Sequence, residues 1–329
     1  MPQISPLALT MGEPAGIGAE ISVGAWQALR QDGPCFFYIG DPALLGEAPW
    51  RPIADPAEAA GLFADAIPVL PLPLAVPAVP GQLDPRNAPA VIAAIERAVA
   101  LAQSGAAAAV VTNPIQKSVL TATGFAYPGH TEFLAALAPG EGPPVMLLAA
   151  AGLRAVPVTI HQSLRSAIDS LTVEKIVTVA RATAAGLARD FGIAAPRLAL
   201  CGLNPHAGEA GTMGLEDRDI IAPAIAQLRA EGIDARGPFP ADTLFTPHAR
   251  AGYDVALGMY HDQALIPVKT LDMAGGVNVT LNLGVVRSSP DHGTALDIAG
   301  QGRADAGSLV AALRLAAELA AHRLERKPA

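Results

Sequence analysis

Short apolar runs rich in β-branched and aromatic residues alternate along this chain with longer, alanine-rich stretches of helical period. Alternation of this kind is typical of β–α–β crossover units, which build a mostly parallel sheet with helices on its faces. The predicted strands are residues 7–10, 35–40, 107–112, 145–150, 155–160, 197–203, 254–260 and 278–281. The clearest predicted helices are residues 87–104, 172–190, 217–231 and 305–323. The fold class is therefore predicted to be α/β.

Chain length predicts the domain organisation. A chain of 329 residues exceeds the size at which a single hydrophobic core stops growing, so we expect two lobes that share a cleft. Repeated prolines interrupt the longest apolar stretch, residues 67–81, and exclude it as a membrane helix. The same prolines predict a linker or surface excursion there.

Amino-acid composition limits which partners and which cellular compartment we expect for this protein. Hydrophobic residues make up 51% of the chain, which argues against disorder, and 30 acidic against 22 basic residues give a net charge of −8. An acidic balance argues against a nucleic-acid partner, which requires a basic surface. The two cysteines lie in apolar runs and no secretory signal is visible, so we expect a cytoplasmic protein with no membrane partner.

Three of the seven histidines share one kind of position, directly after a predicted strand: His161, His206 and His261. Open α/β sheets bind ligands beyond the carboxyl ends of their strands, so the three imidazoles are candidates to converge there. Three histidines with an open fourth position are the ligand set of a catalytic divalent metal. For each histidine alone, a structural, hydrogen-bonded role is the alternative.

Rare lysines and a histidine give a second constellation. Lys117 and Lys269 both lie in loop-rich sequence, and either is a candidate to meet a phosphate or a hydride-transfer site, or to be an ordinary solvated lysine. An anionic substrate requires local positive charge in an acidic protein, and Lys269, Arg287, His130 and a metal would supply it. His130 and Thr131 open a predicted helix, where free backbone N–H groups bind phosphate or the sequence forms a simple cap.

The glycine-rich segments do not identify the cofactor. Neither GxGxxG nor GxxxxGK[ST] occurs, so both standard nucleotide fingerprints are absent. The segment DHGTALDIAGQG at residues 291–302 is a candidate backbone platform for a cofactor, although an ordinary loop and capped helix reads much the same. The residues alone predict a metal-dependent α/β enzyme that acts on a small phosphorylated substrate.

A run of motifs resembles one family over residues 7 to 310. TMGEPAGIGAE, TNPIQK, YPGHTEFL, VTIHQSL, LNPHAGEAGTMGLED, MYHDQALIPVK and GVNVTLNLGVVRSSPDHGTALDIAGQG stand in the order seen in the 4-hydroxythreonine-4-phosphate dehydrogenase family of vitamin B6 biosynthesis. Glu13, Ala19 and Gln116 depart from the commoner motifs, which bears on fine specificity.

The resemblance implies a role for each candidate residue. His161, His206 and His261 correspond to metal ligands, and Asp242 corresponds to a carboxylate near the metal. The implied substrate contacts are His130, Thr131, Lys269, Asn278 and Arg287, and the implied cofactor residues are Asp291, His292, Gly293, Thr294 and Ala295. Asp242 or Lys117 is expected to handle the proton. The expected cofactors are NAD or NADP and one divalent ion per site, zinc, magnesium or cobalt.

The resemblance also implies architecture and partners. It predicts two α/β/α lobes with a cleft between them, similar to isocitrate and isopropylmalate dehydrogenases, and a homodimer with its active site at the subunit interface. We expect an outer lobe of residues 1–125 plus 286–329 with the cofactor loop, and an inner lobe of residues 126–285 with the metal ligands and dimer contacts.

The expected reaction is oxidation of 4-(phosphooxy)-L-threonine to a 3-oxo acid that decarboxylates to 3-amino-2-oxopropyl phosphate, in pyridoxal phosphate biosynthesis. Relatives in the family act on threonate 4-phosphate, erythronate 4-phosphate or an aromatic cis-dihydrodiol, and the dihydrodiol has no phosphate for the cationic residues to bind. A class II-type metal aldolase is the alternative from another class, and a ligand-binding protein of the same shape is a third.

Overall fold

The structure is a computed structural model that describes residues 4–127 and 129–325. Its strands are β1 (Leu7–Thr10), β2 (Phe36–Gly40), β3 (Trp50–Pro52), β4 (Ile67–Pro71), β5 (Val110–Thr112), β6 (Val145–Ala150), β7 (Leu153–Pro157), β8 (Leu198–Cys201), β9 (Ala235–Phe239), β10 (Val255–Gly258), β11 (Val277–Leu281) and β12 (Arg287–Pro290). Its α-helices are α1 (Gly18–Leu29), α2 (Ala59–Leu62), α3 (Ala88–Ser104), α4 (Lys117–Ala122), α5 (His130–Leu137), α6 (Leu164–Asp169), α7 (Val173–Asp190), α8 (Ala222–Ala230), α9 (Ala241–Leu244), α10 (Pro247–Arg250), α11 (His261–Leu271) and α12 (Gly307–Glu325). The chain forms two compact units.

The first unit comprises Met1–Glu141 and Leu283–Ala329. Its strands lie in the order β3-β4-β2-β1-β5-β12 and every pairing recorded between them is parallel. Helix α3 packs on β1 and β2, and α12 packs on β12. Strands such as β1 and β2 are buried at every position, as expected of parallel strands with helices on both faces.

The second unit is Gly142–Asn282, with strands in the order β11-β6-β7-β10-β8-β9. Strands β11, β6 and β7 are antiparallel, and β7, β10, β8 and β9 are parallel. Helix α11 packs against β7, and α7 packs against α8 and β11. The carboxyl ends of β7, β10 and β8 therefore lie side by side along one edge of this sheet.

The predicted α/β class is confirmed, and the strands predicted at 7–10 and 145–150 have the observed bounds. The segment 67–81 was predicted wrongly in part, since its first five residues form β4, between β3 and β2. Pro68 and Pro71 are accommodated because the chain still donates from Ile67 N to Pro49 O at 2.8 Å and from Leu72 N to Gly40 O at 3.0 Å. Burial of the apolar side chains of β4 offsets the donors that proline lacks.

The boundary between the units also differs from the predicted one. Residues 126–141 belong to the first unit, not to an inner lobe that begins at 126. Helix α5 explains the difference, because it packs against α3 and Gln103 Nε2 donates to Leu137 O at 3.0 Å. His130 and Thr131 thus lie in the first unit.

Among the described residues, no helix combines the length and the apolar character that crossing a bilayer requires.

Candidate functional site

The three candidate histidines follow three neighbouring parallel strands of the second unit. His161 lies beyond the end of β7, His261 beyond β10 and His206 beyond β8. Since these strand ends share one edge of the sheet, the predicted placement at carboxyl ends is confirmed. Side-chain positions decide whether the three meet.

His161 and His261 lie close together. Their ring centroids are 5.8 Å apart, and both rings line a pocket of about 500 Å³. Thr159 Oγ1 donates to Met259 O at 2.8 Å, which ties the two loops together just before each histidine. The second unit therefore places two imidazoles at one pocket.

This pair fits a divalent metal. Zinc–nitrogen bonds of about 2.0–2.1 Å place two imidazole centroids on one tetrahedral ion roughly 5 Å apart, close to the observed separation. His261 Nδ1 lies 2.7 Å from Asp262 Oδ1, an arrangement that leaves Nε2 for a metal, as carboxylates behind ligating histidines do. The chemistry of the donors suits zinc or cobalt better than magnesium, which prefers oxygen.

His206 does not join the pair within one chain. Across residues 4–127 and 129–325, no group of three or more His, Cys, Asp or Glu side chains is placed to hold a metal. The physical reason is local: residues His206–Ala210 form a left-handed turn with φ between 41° and 75°, and His206 is exposed on it. Left-handed backbone costs about 1–2 kcal/mol for each non-glycine residue, so other contacts must hold this turn.

The remaining candidates of the second unit are spread around this edge. Asp242 is exposed on α9, a helix that packs against the turn of His206. Lys269 lies in the last turn of α11, the helix that begins at His261. Asn278 lies on β11, where its Oδ1 atom is buried without a hydrogen-bond partner, as expected of a group that awaits a ligand.

The first unit brings together a separate, cationic group. Arg287 is only 4% exposed, and its Nη2 donates to Thr112 Oγ1 at 2.7 Å. Burial lowers the pKa of Arg287 to about 10, so the guanidinium remains charged at neutral pH. Lys117 lies against Gly129, where a Cβ would be 3.2 Å from its Nζ atom. The cations thus surround the start of α5, where His130 and Thr131 occupy the first turn.

His130 is neutral in this environment. Burial, followed by the positive charges of Arg287 and Lys117, lowers the pKa of His130 well below its usual range. Its Nε2 atom is buried and has no hydrogen-bond partner. An anion at this point would relieve the repulsion and supply the missing partner, which is the chemistry expected of a phosphate site.

The predicted cofactor segment forms a loop held from two sides. Ile17 N donates to Thr294 O at 3.1 Å, and Asp291 N donates to Ser308 Oγ, in the first turn of α12, at 3.1 Å. His292 Nε2 is buried without a hydrogen-bond partner. A Cβ at Gly293 would meet nothing within 4 Å, so the backbone there is open to a ligand, and Ala295 adopts a φ of 43°. These features fit a dinucleotide bound on the backbone.

Several residues that shape the site carried no predicted role. The Glu20 carboxylate accepts from the backbone N–H groups of Gly300 and Gly302, and so holds the last residues of the cofactor segment. Asp217 and Gln263 play comparable parts around the histidines of the second unit. All three lie inside the sequence motifs quoted above, and their position in those motifs was the sequence feature that could have indicated a role.

Comparison with known proteins gives a consistent result. The model of the family described as pyridoxal phosphate biosynthetic protein PdxA matches residues 34–316. The 4-hydroxythreonine-4-phosphate dehydrogenase of Caulobacter vibrioides is 56% identical over 97% of this chain and 98% of its own length, and that of Methylorubrum populi is 59% identical over 96% and 94%. The crystal structure of the Klebsiella pneumoniae 4-hydroxythreonine-4-phosphate dehydrogenase superposes with a TM-score of 0.87 at 39% identity, covering 97% of this chain and 98% of that one.

Proposed function

Since this chain belongs to the family of the pyridoxal phosphate biosynthetic protein PdxA, we propose that it oxidises 4-(phosphooxy)-L-threonine at C3. The hydride passes to NAD or NADP, and the resulting 3-oxo acid loses carbon dioxide to give 3-amino-2-oxopropyl phosphate. Relatives over half identical along nearly the whole chain carry the name of this dehydrogenase.

The observation that carries the substrate class is the Nε2 atom of His130, which is buried without a hydrogen-bond partner beside the positive charges of Arg287 and Lys117. A buried polar atom requires a hydrogen-bond partner, and neighbouring cations stabilise an anion that supplies it. In this proposal that anion is the phosphate of the substrate, with Arg287 and Lys117 as cations and His130 Nε2 and Thr131 as hydrogen-bonding groups. Lys269 and Asn278 of the second unit are the further substrate contacts in this proposal.

His161 and His261 are the residues that would hold the divalent ion, with His206 as a third ligand. When bound, a divalent ion would lower the pKa of an oxygen that it binds by roughly nine units, to about 7. At 1.36 kcal/mol per pKa unit, ionising an unassisted alcohol at pH 7 costs about 12 kcal/mol, so this is the largest single contribution. Asp262 fixes His261 in the tautomer that leaves Nε2 available.

The protein's remaining task is to orient the substrate and move one proton. Oxidation removes a hydride from C3 and a proton from the C3 hydroxyl, and Asp242 accepts that proton, because Lys117 as a cation has no lone pair to take it. Phosphate contacts hold C3 in register with the nicotinamide, which residues 291–295 position. The new carbonyl then accepts the electron pair of the C–CO₂ bond, so decarboxylation needs no further oxidant.

Exposed apolar side chains support a homodimer with the site at its interface. Large hydrophobic side chains exposed in the second unit are Ile160, Leu164, Ile168, Met213, Leu215, Ile266, Leu271 and Met273. Leu164 and Ile160 line the pocket of His161 and His261. Apolar surface of this kind marks an interaction site, and a second copy that covers it would bring its own exposed His206 into play.

The test is a substrate panel with each nucleotide. The protein is incubated with 4-(phosphooxy)-L-threonine, threonate 4-phosphate or erythronate 4-phosphate and with NAD⁺ or NADP⁺, before and after chelation. We expect reduced nucleotide, read by absorbance, with the hydroxyamino acid, and its loss on chelation. Cleavage of a substrate without reduced nucleotide would support the aldolase instead, and binding without turnover would support a ligand-binding protein.

A further inference from the structure

The turn that carries His206 wraps around one buried carboxylate. Asp217 is 2% exposed, and its two oxygens accept from Leu203 N at 2.8 Å, from Asn204 N at 3.1 Å and from Asn204 Nδ2 at 2.9 Å. A Cβ at Gly208, inside the left-handed turn, would lie 3.1 Å from Asp217 Oδ2. Asp217 therefore contacts the chain on both sides of His206.

Both oxygens of this carboxylate accept hydrogen bonds, so residue 217 must offer two acceptor atoms. An asparagine at 217 would turn one of its oxygens into an NH₂ group facing an N–H donor. Asp217→Asn therefore keeps the shape of the side chain but removes one acceptor and sets its NH₂ group against an N–H donor. The turn itself has four non-glycine residues at positive φ, so its conformation depends on contacts of this type.

The base of the turn is also connected to the other two histidine loops. Gln263 Nε2 donates to Gly202 O at 2.7 Å, and Gln263 Oε1 accepts from Met259 N at 2.6 Å. Met259 O accepts from Thr159, two residues before His161. Hydrogen bonds therefore place the end of β8 against the loops of His161 and His261, while Asp217 sets how the chain leaves that end.

We propose that Asp217 is a positioning residue for His206. Its carboxylate holds the left-handed turn so that the imidazole is presented at the surface of the second unit as a ligand for the divalent ion. The inference rests on the proposed function, because it takes His206 to be a ligand. By this proposal Asp217 affects the affinity for the metal and has no effect on phosphate binding by the residues of the first unit.

The test compares Asp217→Asn with Asp219→Asn, a matched change two residues away. Asp219 is exposed and pairs with its neighbour Arg218, so it serves as the control. Full-length protein is stripped with chelator and titrated with Co²⁺ by calorimetry and by the visible absorption of the bound ion. We expect Asp217→Asn to weaken Co²⁺ binding about 10- to 100-fold, the usual effect of losing a group that orients a ligand. Asp219→Asn should bind as the unaltered protein does.

Binding of inorganic phosphate distinguishes positioning from general damage, and it should be unchanged in both variants. If Asp217→Asn proves unfolded by circular dichroism, Asn204→Ala takes its place. It removes one side-chain donor to the carboxylate and should weaken Co²⁺ binding roughly fivefold, the equivalent of one hydrogen bond.

A third variant separates this inference from the function on which it rests. His206→Ala should abolish tight Co²⁺ binding. If it does so while Asp217→Asn, or Asn204→Ala in its place, binds Co²⁺ normally, the positioning role is refuted and the function stands. If His206→Ala itself binds Co²⁺ normally, the assignment of His206 as a ligand fails and the inference with it.

Discussion

The two units of this chain differ in how far their candidate ligand-binding groups are exposed. In the first unit Arg287, which is 4% exposed, and the exposed Lys117 lie near His130, whose Nε2 atom is enclosed. In the second unit His161 and His206 are exposed, and apolar side chains such as Leu164, 56% exposed, surround the pocket. The proposed anion site thus gathers cations around one buried atom of the first unit, whereas the proposed metal site lies at an exposed apolar surface of the second.

The strongest way to break this comparison is to remove a histidine of the second unit. His161→Ala should lower turnover of 4-(phosphooxy)-L-threonine by about 10³-fold or more, since the metal contributes several kcal/mol to the reaction. Binding of inorganic phosphate should not change, because Arg287, Lys117 and His130 lie in the first unit. Steady-state kinetics and phosphate calorimetry measure the two effects, and His248→Ala, an exposed histidine elsewhere in the second unit, is the control.

Removal of the buried cation tests the other side of the comparison. Arg287→Met should weaken binding of phosphate and raise KM for the phosphorylated substrate by about 10²-fold, within the range for truncating a buried charge partner. Co²⁺ binding should be retained. The exposed Arg51→Met provides the control, and equal loss of phosphate binding in both variants would contradict the assignment.

A charge placed on the exposed apolar surface of the second unit sharpens the comparison. Leu164→Asp should weaken self-association by about tenfold or more, because an interface must then bury an unpaired carboxylate. Leu324→Asp introduces the same change at a side chain 44% exposed in the first unit and should have no effect. Sedimentation equilibrium measures the self-association of both variants. Dissociation of Leu324→Asp but not of Leu164→Asp would contradict an interface in the second unit.

The smallest expected effect is a pH dependence of stability that belongs to the first unit. Unfolded histidine titrates near 6.5, whereas the pKa of His130 in the folded protein is held far lower by burial, Arg287 and Lys117. Below pH 6.5 the unfolded chain therefore takes up a proton that the folded protein does not, and stability falls as the pH falls. At pH 5.5 this contribution is about 1.4 kcal/mol.

Urea unfolding at pH 7.5 and 5.5 measures that contribution. Acidification should cost the unaltered protein about 1.4 kcal/mol more than His130→Asn, which lacks the titrating group. His248→Asn should behave as the unaltered protein does. An equal loss in the protein and in His130→Asn would show that His130 is not held neutral.

Some features of the fold were readable in the sequence because they depend on local pattern. Apolar runs flanked by polar residues predicted β1 and β6 with their observed bounds, and the position of three histidines after neighbouring strands was also predicted. Strand β4 was not, because its prolines indicate a linker and only pairing with β2 and β3 outweighs that preference.

The site shows the same limit. The left-handed turn at His206 depends on Asp217, a carboxylate eleven residues later, and no local propensity indicates four non-glycine residues at positive φ. The inclusion of α5 in the first unit likewise depends on packing against α3. Residue types at motif positions predicted which side chains matter, whereas packing decided which of them share a surface.

A crossed titration tests the division of labour between the two units most directly. Co²⁺ and inorganic phosphate are each titrated into the chelator-stripped protein, His161→Ala and Arg287→Met. We predict that His161→Ala loses Co²⁺ and keeps phosphate, and that Arg287→Met loses phosphate and keeps Co²⁺. Tight Co²⁺ binding by His161→Ala, or loss of both ligands in either folded variant, would contradict the account.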